Sequence, residues 1–137
     1  MKDFQNITIR TYNGIPKPNA VYVLSRGSNS GKLLKEPCPN CYEITSETNR
    51  VGELSAAVHI LFCSGRLRPY LHGSVIEFVR LEHYRKLFLE LWNNIDPTVM
   101  EKTATVLKGI EICQAETLKK LKQLKEMRFY VAKCAIK

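Results

Sequence analysis

Residues 50–65 read RVGELSAAVHILFCSG. Upstream of them the apolar residues alternate with a period of two. Within them the period changes: Val51, Leu54, Val58 and Leu61 recur at three- and four-residue steps, the spacing that lines up side chains along one side of an α-helix. Ala56, Ala57, Ile60 and Phe62 fill other positions, so this helix is apolar nearly all round and is expected to be buried. Gly65 supplies its stop. A strand-rich segment leading into one buried helix points to the α+β class.

Working outward toward the N-terminus, Ile7 to Tyr12 alternates like a strand and Asn13-Gly14 marks a turn. Pro16 and Pro18 keep the next segment extended and irregular. AVYVL at 20–24 is β-branched and aromatic and reads as a second strand. SRGSNSGK at 25–32 is a polar loop, and Tyr42 to Thr45 a short strand closed by the turn-rich SETN. In the other direction, GRLRPYLHG is a loop. SVIEFVRL at 74–81 reads as a strand from its β-branched content. Leu81 to Trp92 carries Leu81, Tyr84, Leu87, Phe88, Leu91 and Trp92 on one helical stripe. Asp96-Pro97 then gives an N-cap followed by proline at the first helical position. The helix it opens has Met100, Ala104, Leu107, Ile110, Leu118, Leu121 and Leu124 on its apolar side. It extends past Met127 unless RFYVA turns into a strand. The expected architecture is one domain over 1–137: a sheet-rich half (1–81), an antiparallel sheet with one buried helix, and a helical half (82–137), a pair of amphipathic helices.

With 137 residues, 45% apolar and 25% charged, the chain can bury a core without staples. The opening MKDFQNITIR has no apolar stretch of the secretory type, and no apolar run has bilayer length, so the expectation is a cytoplasmic protein with no membrane partner. Five cysteines in that setting read as thiols, metal ligands or redox groups, not as disulfides. The net charge is +8 and uneven: from residue 116 onward seven basic residues face only Glu116 and Glu126, a net +5. A basic surface fits a polyanion such as nucleic acid, with an ordinary solvated lysine face as the alternative. Arg66, Arg68, Lys119, Lys120, Lys122, Lys125 and Arg128 are the candidate contacts. Tyr70, His72 and Arg80 could extend them as a basic patch with interleaved aromatics. The apolar side of the last helix needs a cover, which a second copy could supply.

Cys38 and Cys41 have the spacing that lets two thiolates on one turn reach one ion. His59 and Cys63 lie one turn apart on the predicted helix, which completes a Cys3His zinc set on paper. Inert buried thiols are the competing reading. A redox pair is disfavoured because YEIT after Cys41 reads as a strand, not a helix N-terminus. Gly27 to Lys32 is short by one residue of a phosphate-binding loop and lacks its Ser or Thr. Glu77 sits in the apolar SVIEFVRL segment, and a buried carboxylate there would have a raised pKa. Loop 27–32 and Glu77 are all that an enzyme of unidentified type would rest on.

Two stretches, GSNSGKLLKEPCPNCYEI (27–44) and RPYLHGSVIEFVR (68–80), resemble a family of small uncharacterised proteins of gut Bacteroidales and their mobile elements. That pattern has proline where this chain has Glu77 and phenylalanine where it has Tyr42. The resemblance implies a mobile-element setting and carries over no site residues. The reading of the whole is a small basic protein that acts by binding nucleic acid or another protein.

Overall fold

The computed structural model describes residues 7–136. Four strands, β1 (Ile7–Thr11), β2 (Ala20–Leu24), β3 (Leu33–Leu34) and β4 (Cys41–Ser46), form one antiparallel sheet in the order β1-β4-β2-β3. The register sets Ile9 opposite Ile44 and Val21 opposite Ile44 on its other side. Strand alternation therefore sends Ile9, Val21, Val23, Tyr42 and Ile44 to one face, and Arg10, Tyr22, Cys41 and Glu43 to the other. The first set joins the core with Leu54, Ala57, Val58 and Leu61 of α1 (Val51–Cys63) and with Tyr84, Leu87, Phe88 and Trp92 of α2 (Leu81–Asn94). The predicted buried helix and the stripe of the next are thus both present, and the fold is α+β.

Two ties fix these layers, and a ring stack orders α2 itself. The Tyr42 hydroxyl donates to the Val79 carbonyl at 2.5 Å. The Arg85 guanidinium donates twice to the Ile9 carbonyl, at 2.9 and 2.6 Å, and holds α2 to the edge strand. Along α2, Tyr84, Phe88 and Trp92 stack with ring centroids 6.1 and 6.0 Å apart, the i, i+4 neighbours of one helix face.

The strand expected over 74–81 is mostly a turn. Only Phe78–Val79 (β6) pairs, with Leu71–His72 (β5), and residues 74–76 bend away. Gly73 has φ of +103°, and a Cβ there would lie 2.2 Å from the Ile76 carbonyl oxygen. The reversal overrides the β-branched propensity and leaves Val75 92% exposed.

The last helix, α3 (Pro97–Ala135), starts where Asp96-Pro97 places it: the Thr98 N–H donates to Asp96 Oδ1 at 2.8 Å. RFYVA continues it as helix. The chain divides into two compact units, residues to Ala104 and residues from Thr105. The first holds the sheet, α1, α2 and, among the described residues, every buried side chain. The second, by itself, is a single helix. That division falls within α3, and α2 packs into the sheet's own core.

Candidate functional site

The cysteines do not assemble as the spacing predicted. Pro39 and Asn40 form a turn whose Asn40 carbonyl accepts from the Ser25 N–H at 3.0 Å. Cys41 then opens β4 on the face away from the core cluster, and its thiol donates to the Cys38 carbonyl at 2.9 Å. Burial pushes that thiol's pKa up, so it stays protonated and unreactive. His59 and Cys63 lie one turn apart on α1, with Nε2 and Sγ 3.7 Å apart. Among the described residues no cluster of ligand atoms joins Cys38 or Cys41 to His59 or Cys63. The four do not fit one tetrahedral ion, because alternation along β4 directs Cys41 away from the face that α1 covers.

That outer face holds a polar cluster that the sequence pattern alone does not reveal. Glu43 is 1% exposed. Its Oε1 accepts from Arg10 Nε at 3.0 Å and lies 3.3 Å from Lys17 Nζ. Oε2 is buried and has no hydrogen-bond partner among the described residues. Tyr12 and Tyr22 meet edge to face at 5.4 Å beside it, and the Tyr22 hydroxyl accepts from the Lys17 N–H at 2.9 Å. Strand alternation makes Glu43 read as a solvent-facing residue. The signal lies in register: Arg10 is its cross-strand neighbour, and the proline-held loop brings Lys17 over both. The arrangement is a two-cation tie between strands and loop. Glu77, the acid that the sequence singled out, is exposed and contributes only its carbonyl, which accepts from the Gly27 N–H at 2.6 Å.

Loop 27–32 closes the β2–β3 hairpin. The Gly31 N–H donates to the Leu24 carbonyl at 2.7 Å and the Leu24 N–H to the Lys32 carbonyl at 2.9 Å. The amides of Gly27, Ser30, Gly31 and Lys32 all donate to backbone carbonyls of the chain and are not arrayed for a phosphate. The aromatics of the 66–80 region pack on one another: Tyr70 on His83 at 5.3 Å, His72 on His83 at 5.4 Å, and His72 on Phe78 at 5.8 Å. They anchor the loop and are not splayed as a stacking platform.

Arg66 lines an open cleft of about 330 Å³ where α1 and α2 end, walled by Ile60, Leu61, Leu91 and Ile95 with Glu90 and Asn94 at its polar side. Arg68 is exposed in a single 3₁₀ turn, residues 68–70. The other five predicted cations, Lys119, Lys120, Lys122, Lys125 and Arg128, are all exposed on α3. So are its apolar residues: Ile110, Leu118, Leu121, Leu124 and Val131 are 46–66% exposed. At three- and four-residue steps these share one side, while Lys108, Lys119, Lys122 and Lys133 recur on the opposite flank. No helix among the described residues is long and apolar enough to cross a membrane.

Residues 9–133 match the model of a family whose description is a family of unknown function. No curated protein and no solved structure matches the chain.

Proposed function

The chain belongs to that family, DUF6943, and we propose that it acts by binding nucleic acid through the basic flank of α3. One observation carries this: residues 105–135 continue a helix that is exposed at every described position but Leu107, and the sequence from residue 105 to 137 holds +5 of the chain's +8 charge. Lysines on a helix with no neighbour from its own unit are free to meet phosphates, and each phosphate neutralised releases counterions. The elements before residue 105 give such contacts less support, since their aromatics stack internally and their amides close turns.

The test is fluorescence anisotropy of a labelled duplex against the full chain over a salt series. With four or five cations engaged, log K falls against log salt with a slope of about −4. Reversing Lys119 and Lys122 to glutamate weakens binding at least about tenfold and flattens that slope. A flat salt response in the parent, or no effect of the reversal, rejects the reading. Tighter binding to vesicles rich in anionic lipid than to the duplex reassigns the basic flank to a membrane surface.

A further inference from the structure

We propose that the segment of α3 beyond Ala104 pairs antiparallel with the same segment of a second copy, with Leu121 of each against the partner's Leu124. A lone helix in water is marginal, and this one leaves a row of large apolar side chains that its own unit cannot cover. The row is a seven-residue repeat. Leu107, Gln114, Leu121, Arg128 and Ala135 are seven apart, and so are Ile110, Thr117, Leu124 and Val131, set three residues on. These are the seam positions of a two-helix coiled coil over four repeats, apolar at Leu107, Ile110, Leu121, Leu124, Val131 and Ala135 and interrupted by Gln114, Thr117 and Arg128.

Charge selects the direction. In a parallel, in-register pair Arg128 meets the partner's Arg128 within the seam, and Lys120 flanks the partner's Lys125. No acid lies between them. The antiparallel pair removes all of these like-charge encounters. Leu121 packs on the partner's Leu124 twice, at the centre. Arg128 lies across from the partner's Thr117, Gln114 from the partner's Val131, and Ala135 from the partner's Ile110. Lys120 then flanks the partner's Met127 and Lys125 the partner's Leu118, where long stems can cover apolar surface while their ammonium groups reach water. Sliding the register by one repeat either way sets Arg128 against Ile110 or Leu124 and is disfavoured. The register also brings Cys113 beside the partner's Cys134. Both are exposed and neither is in a disulfide. Lys119 and Lys122 stay on the outside, so self-pairing and nucleic-acid binding are separate properties and can fail separately.

Sedimentation of the reduced full chain over two decades of concentration reads the association, and mild oxidation with diamide reads its direction. The expected result is a monomer–dimer equilibrium. Leu121→Lys with Leu124→Lys shifts its midpoint at least about tenfold, while the buried Trp92 fluorescence of the first unit stays unchanged. In a background with Cys38→Ser and Cys63→Ser, oxidation gives a covalent dimer that is lost in Cys113→Ser and in Cys134→Ser alone, and returns when those two variants are mixed. A chain that stays monomeric across the range overturns the proposal. So does a cross-link that persists in either single variant, because only like-with-like contacts explain it.

Discussion

Tyr84 is fully buried in the stack of α2, and its hydroxyl has no hydrogen-bond partner among the described residues. A buried hydroxyl without a partner costs about 1–2 kcal/mol, so Tyr84→Phe is expected to raise unfolding stability by that much in urea titration. Burial also pushes this phenol far above its ordinary value. A raised folded pKa means stability that is complete below the unfolded value of about 10 and declines above it, by about 1.4 kcal/mol per pH unit for each such tyrosine. The Phe variant should lose less stability than the parent between neutral and strongly alkaline pH; parallel curves would refute this. Glu43 makes an opposite case. Removing both Arg10 and Lys17, as alanine, strands a buried carboxylate and is expected to cost about 3–5 kcal/mol, while Glu43→Gln, which leaves two half-exposed cations in water, costs less. Equal losses on thermal melting would show that the pairing carries no weight. With an aromatic thiol reagent, Cys113 and Cys134 should react in the native chain and Cys41 only on unfolding, since burial holds its thiol protonated.

At the scale of elements, the GSNSGK stretch is where local sequence says most. Gly31 has φ of +96°, and a Cβ on it would lie 2.2 Å from Leu67 Cδ1. Gly31→Ala should therefore cost about 1–3 kcal/mol, and more than Gly14→Ala, whose added methyl meets nothing within 4 Å. Equal destabilisation of the two would mean that the backbone alone matters and the contact with Leu67 does not. This pair also shows what was readable. Periodicity found α1, the stripe of α2 and the Asp96-Pro97 start of α3, because each depends on residues within one or two turns. The strand expected at 74–81 failed because a single glycine and a two-residue partner strand decide it, and β-branched content carries neither. Cys38-x-x-Cys41 and His59-x-x-x-Cys63 are each legible locally, but the face on which β4 carries Cys41 is set by register and not by either spacing. Glu43 was hidden because its partners lie 33 and 26 residues away in the chain.

At the scale of the molecule, the division at residue 104 makes a direct prediction. A chain ending at Ala104 keeps every buried residue described, Met100 included, and should melt cooperatively with near-native tertiary signal. The same chain should lose salt-dependent duplex binding. Loss of the fold instead would show that the core depends on the remainder of α3. One further consequence comes from Trp92, the chain's single tryptophan, which lies at 0% exposure on α2. Its emission reports on the first unit alone. Far-ultraviolet ellipticity reports backbone helix wherever it lies, and residues 105–135 supply almost half of the residues in the three α-helices. The two optical signals therefore weigh the two parts of one polypeptide differently. A denaturant titration followed by both at once becomes a built-in stethoscope: fluorescence hears the core, ellipticity hears core and arm together, and any offset between the curves is the independent melting of the arm.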